Sequence, residues 1–97
     1  MTIKIGLIGC GGIAEWHVNG YLKIADKTSG VAVCDVVAEN AEKRSKQGGG
    51  ADIFSDYNVM LANADIDAVD ICLPHHLHKD AIVAALRALE HDETLLV

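Results

Sequence analysis

Gly9, Gly11 and Ala14 stand at G-x-G-x-x-A spacing directly after the apolar run Ile3–Ile8. Such a spacing serves phosphate binding. Gly9 permits a tight turn out of a strand, Gly11 leaves the backbone open to a pyrophosphate, and Ala14 lets the following helix sit close to the sheet. Cys10, Gly12 and Ile13 complete the cradle. The helix beyond it, from about Ile13 to Ala25, presents unpaired N–H groups and a positive dipole end to the phosphates. About 20 residues on, Asp35 closes the next apolar run, with Val36 beside it, where a ribose-binding carboxylate is expected. A carboxylate there repels a 2′-phosphate, and no Arg or Lys follows it directly. The pattern predicts a dinucleotide site with NAD preferred over NADP.

Other chemistry-bearing residues carry weaker expectations. His75, His76 and His78 are the right ligand type for zinc, but neighbours on a short loop diverge and no Cys or carboxylate sits at a ligand spacing nearby. No metal site is expected. Cys10 lies at a helix start, which favours a thiolate, but it has no base, so a packing role is expected. Trp16 and His17 on the first helix are expected to pack in the core or on a covered helix face. Asp65, Asp67 and Asp70 read as a solvated acidic edge. No catalytic residue is assigned.

The elements that must position these residues follow from periodicity. Ile3–Ile8 is a buried strand. Lys27-Thr28-Ser29-Gly30 reads as a polar turn, and Val31–Cys34 as a second strand. Ala38–Gln47 is helix-compatible, and Gly48-Gly49-Gly50 ends it. Ile53-Phe54 is a short third strand. Asp56 is placed to N-cap a helix over Tyr57–Asn63. Ala68–Leu73 is a fourth strand stopped by Pro74. A helix spans Leu77 to about Glu90, and Leu95–Val97 starts a fifth strand. Strands alternating with helices predict an α/β doubly wound parallel sheet of about five strands, one dinucleotide-binding domain over residues 1–97.

The composition sets limits. At 97 residues and 51% apolar, the chain fits one small packed domain. The formal charge of −6 with no Lys/Arg run argues against nucleic acid and anionic membranes as partners. No apolar run reaches the ~20 residues of a membrane helix, and Met1–Lys4 lacks the layout of a signal peptide. The three cysteines, Cys10, Cys34 and Cys72, stand apart without a C-x-x-C pair, as expected of reduced thiols in the cytoplasm.

Taken together, Ile5–Ala14, Ala32–Asp35, Tyr57–Ala62 and Ile66–Pro74, with His75-His76-Leu77-His78 behind them, resemble the N-terminal part of the Gfo/Idh/MocA oxidoreductases, the glucose–fructose oxidoreductase and inositol dehydrogenase family. The resemblance covers nearly the whole chain. It implies the strand order 3-2-1-4-5 and a ligand crevice between strands 1 and 4. It further implies cofactor contacts from Cys72, Leu73, Pro74, His75 and His78 after the fourth strand, although Leu73 and His75 replace the family's usual Thr and Asn. The family's Glu-Lys-Pro triplet, with its catalytic Lys, and its substrate domain have no counterpart in these 97 residues. The chain is therefore expected to be a truncated NAD-binding portion of a sugar or polyol oxidoreductase, inactive in isolation. The alternative is a non-catalytic dinucleotide-sensing or interaction module. An exposed sheet edge is expected to promote homo-oligomers.

Overall fold

A computed structural model describes residues 2–91. The elements run β1 (Ile3–Ile8), α1 (Gly12–Lys23), β2 (Thr28–Cys34), α2 (Ala38–Gln47), β3 (Asp52–Phe54), α3 (Tyr57–Asn63), β4 (Ala68–Ile71) and α4 (His75–His91). The strands form one parallel sheet in the order β3-β2-β1-β4. The fifth strand expected at Leu95–Val97 lies outside the described residues.

Strand alternation sorts the core into two layers. Ile8, Ala32, Cys34 and Val69 face α3 and α4, where they meet Met60, Ala81 and Ala85. Leu7 and Val33 face the opposite way and pack with Cys10, Ala14 and Val18 of the glycine turn and α1, and with Ala41 of α2. Helices thus cover both faces, which is why the central strands are apolar on both sides. Burying each large side chain of this kind, Leu7 and Ile8 at 1% exposure, stabilises the fold by about 1.5–3 kcal/mol.

Three local expectations are corrected. Thr28–Gly30 is not a turn: it extends β2, pairing Thr28 with Ile3, Ser29 with Lys4 and Gly30 with Ile5. A register shift between Ile5 and Gly6 leaves Val31 as the extra residue. Ladder pairing with β1 overrides the turn propensity of that tetrapeptide. β4 ends at Ile71 rather than Leu73. α4 begins at His75 rather than Leu77, because Pro74 sits just before the helix and its carbonyl accepts from the Leu77 amide at 2.9 Å. The α3 expectation holds: Asp56 caps the helix by accepting from the Asn58 amide at 2.8 Å.

The strand order reverses its progression at β1, with β2 on one side and β4 on the other. In open α/β sheets the crevice at the carboxyl ends of the strands at such a switch point is where ligands bind.

Candidate dinucleotide site

The glycine turn leaves β1 at that switch point. Gly9 has φ +94°, and a Cβ on it would stand 2.7 Å from both the carbonyl carbon and oxygen of Cys72. Only glycine fits, both for the conformation and for the approach of β4. Gly11 is different. Its φ is −72° as the residue preceding α1, and nothing lies within 4 Å of where its Cβ would be. The space over Gly11 is not filled by the protein itself.

The turn is anchored from three elements. The Gly9 amide donates to the Cys34 carbonyl at 2.8 Å, and the Cys72 amide donates to the Ile8 carbonyl at 2.7 Å. Asp35 Oδ2 accepts from the Cys10 amide at 2.9 Å while Oδ1 accepts from the Val37 amide at 2.8 Å. From α2, Arg44 Nε donates to the Cys10 carbonyl at 3.1 Å. Behind the turn, Cys10 is fully buried and its thiol donates to the Cys34 carbonyl at 3.4 Å. Burial, assisted by the Asp35 charge, pushes this thiol up to about 12. Cys10 is therefore a protonated packing residue, as its lack of a base suggests. Burial also pushes Cys34 up to about 11 and Cys72 up to about 12.

α1 starts at Gly12, and Gly11 provides no side-chain cap. The first-turn amides of Gly12 and Ile13 have no carbonyl a turn behind them, so they remain available to an anion. Gly9, Gly11, Gly12, Ile13, Asp35, Val36, Cys72, Leu73 and Pro74 all line one open recess of about 450 Å³, with Asn40 and Leu77. An adjoining recess of about 180 Å³ shares Asp35, Val36, Leu73 and Leu77 with it and reaches Tyr57 and Asp80. A further cavity of about 330 Å³ lies beside Thr28 and Gly30, at the opposite ends of the strands, and none of the candidate residues line it.

The remaining sequence candidates fall elsewhere. Cys10 and Ala14 lie beneath the recess, both at 0% exposure. His75 is an exposed residue of the first turn of α4, and His78 Nε2 lies 3.3 Å from the Ile71 carbonyl. Asn40 and Leu77, which the sequence reading did not select, carry no motif signal, because their place depends on how α2 and α4 dock. Trp16 is not core: it is 78% exposed. The acidic-edge expectation fails for two of its three members. Asp67 joins the backbone of β1, accepting from the Lys4 amide at 2.9 Å, and Asp70 is half-buried against α1. Asp65 is the solvated member, paired with Lys4 at 2.5 Å with its side chain 87% exposed.

The sequence and the fold have counterparts among known proteins. A profile of the Gfo/Idh/MocA oxidoreductase family, NAD-binding Rossmann fold, matches residues 3–91. The chain belongs to this family. Among its Gfo/Idh/MocA relatives, inositol 2-dehydrogenase of Salmonella typhimurium is 36% identical over 92 residues, covering 91% of this chain and 26% of the relative. The 4-carboxy-2-hydroxymuconate-6-semialdehyde dehydrogenase of Sphingobium is 32% identical over 89 residues, covering 92% of this chain and 28% of the relative. Scyllo-inositol dehydrogenase from Lactobacillus casei, solved with bound NAD(H) and scyllo-inositol, superposes with a TM-score of 0.82 at 33% identity, over 91% of this chain and 26% of that one. The WlbA dehydrogenase from Bordetella pertussis, in complex with NADH and UDP-GlcNAcA, gives a TM-score of 0.84 at 30% identity, over 91% and 27%. The chain spans about a quarter of the length of these relatives. Among the described residues, no helix is long and apolar enough to cross a membrane.

Proposed function

We propose that this chain binds NAD in the recess between β1 and β4. The observation that carries the reading is the open space over Gly11 beside the unpaired first turn of α1, in a family whose fold is NAD-binding. A pyrophosphate fits there because no Cβ obstructs it and the Gly12 and Ile13 amides can donate to it. Asp35, already anchored by two amides, retains lone pairs on both oxygens for ribose hydroxyls. Its charge opposes a 2′-phosphate, so NAD is preferred over NADP. Val36, Cys72, Leu73 and Pro74 supply the apolar wall. His75 and His78 join the contacts only if the start of α4 reorients, because in this structure neither lines the recess.

When bound, nicotinamide supplies the hydride acceptor or donor. The chain's own residues hold and orient it. For a longer protein that contained this unit, we propose hydride exchange at a sugar or polyol carbon, the reaction class of the inositol dehydrogenases it resembles. The three free thiols fit a reducing compartment such as the cytoplasm. Self-association by pairing along a sheet edge is proposed as well.

The test is a calorimetric titration of NAD and NADP into the chain, with Asp35→Ala alongside. Saturable NAD binding, weakened at least tenfold in the variant, supports the site. Equal affinity of the two proteins for NAD, or tighter binding of NADP than NAD by the wild type, would contradict it.

A further inference from the structure

On the α1 face of the sheet, donors of three different chemistries converge. His17 Nδ1, an Asp70 carboxylate oxygen and Cys72 Sγ all lie within 4.8 Å of one another, each residue half-buried. The convergence follows from two periodicities. Asp70 in β4 and Cys72 just past its end, two apart, point to the same face, while His17 and Tyr21, four apart on α1, share the helix side above it. Asp70 Oδ2 is 2.7 Å from His17 Nδ1 and also accepts from the Tyr21 hydroxyl; Oδ1 is 3.8 Å from the Cys72 thiol. Three proton carriers thus turn on one carboxylate. Among the described residues, no Lys or Arg makes an ion pair with Asp70. Its side chain is only 25% exposed.

We propose that His17, Asp70 and Cys72 form a binding site for a divalent transition-metal ion of the zinc class. Imidazole nitrogen, carboxylate oxygen and thiolate sulfur are zinc ligands, and three protein ligands leave a fourth position for water. The nitrogen and sulfur donors disfavour calcium and magnesium, which take oxygen. Ligand atoms around tetrahedral zinc stand about 3.3–3.7 Å apart, given zinc–ligand distances of about 2.0–2.3 Å. The His17–Asp70 contact must therefore open by roughly half an ångström, which the His17 side chain, 40% exposed on α1, can accommodate. The Tyr21 hydroxyl stays on the carboxylate and orients it. The thiol, held protonated by burial and the Asp70 charge, must give up its proton. The zinc ion enters, the Cys72 proton leaves to the buffer, and the proton that His17 Nδ1 donates to Asp70 moves to Nε2, so that Nδ1 is free to ligate. The ion would tie α1 to β4 directly beside the glycine turn. The proposal needs no nucleotide, although Cys72 also lines the recess assigned to the cofactor.

The test uses cobalt(II) as the probe, titrated into the chain without nucleotide and in a non-thiol reductant. The wild type should develop a sulfur-to-cobalt charge-transfer band that saturates at one ion per chain and is abolished by competing zinc. Zinc binding should release one proton per ion from the thiol. Cys72→Ser should lose the band, whereas Cys10→Ser and Cys34→Ser should keep it. Asp70→Asn and His17→Ala should each weaken cobalt binding at least tenfold while circular dichroism shows a folded chain. No saturable band in the wild type would overturn the proposal whatever the variants do. So would a band that survives Cys72→Ser, or metal uptake that disappears only in His75→Ala/His76→Ala.

Discussion

Replacing Gly9 by alanine should destabilise the fold severely, and the cost can be worked from two contacts. The residue sits at φ +94°, a region that costs an L-residue about 1–2 kcal/mol. The new Cβ would stand 2.7 Å from the backbone carbon and oxygen of Cys72 and 3.1 Å from Leu73 Cδ2. Leu73 can rotate away, but the Cys72 backbone is fixed by its 2.7 Å hydrogen bond to the Ile8 carbonyl. Forcing β4 off β1 adds an overpacking cost of about 1–3 kcal/mol. The sum is about 2–5 kcal/mol, against a total stability of about 5–15 kcal/mol for a chain of this length. Urea unfolding followed by far-ultraviolet circular dichroism reads the difference; Trp16 fluorescence is a poor probe, because that side chain is already 78% exposed. Gly11→Ala is the companion, with nothing within 4 Å of its Cβ, and its loss should stay below about 1 kcal/mol. A Gly9→Ala chain within about 0.5 kcal/mol of wild type, or the two variants equally destabilised, would refute the reasoning.

Gly20 lies inside α1 with open space around its Cβ position, so Gly20→Ala should stabilise by about 0.5–1 kcal/mol; a lower urea midpoint would contradict this. Asp56→Ala removes the α3 cap on the Asn58 amide and should cost about 1 kcal/mol, with no cost counting against the cap. Stability should also fall in alkali. Burial holds Cys10 and Cys72 up at about 12 and Cys34 at about 11, from 9.0. The folded thiols keep protons that the unfolded chain loses, so this stabilisation is complete below pH 9 and is lost as pH rises toward 11–12. Allowing for solvent screening, each thiol contributes at most about 1 kcal/mol per pH unit in that window. Equal urea midpoints at about pH 8 and about pH 10.5, in reductant, would contradict it.

The glycine turn, Asp35 and the alternation of strands and helices were legible in the sequence because each is local: a spacing, a strand end, a periodicity. α2 and α3 fall where their polar and capping patterns put them, at Ala38–Gln47 and Tyr57–Asn63. Thr28–Gly30 was not legible as strand, since its three polar or small residues are held by pairing with Ile3–Ile5. Nor was the Asp70 cluster. An aspartate in a strand beside a turn resembles a solvated edge until α1 lays His17 and Tyr21 over it. Asp35 shows a third limit. Its position near the glycine turn could be read, but not that its carboxylate first serves the turn itself, through the Cys10 amide.

The most direct test of the dinucleotide site is residue-resolved. NAD titrated into the isotopically labelled chain should shift, saturably, the amides of Gly9–Ala14, Asp35–Val37 and Cys72–Leu73, and leave those of Thr28–Gly30, beside the cavity at the other end of the sheet, unmoved. The same titration with Gly11→Val, which keeps the fold but fills the open space over the turn, should show those shifts only at cofactor concentrations at least tenfold higher. Shifts centred on Thr28–Gly30, or an unchanged response in Gly11→Val, would contradict a dinucleotide site at the glycine turn.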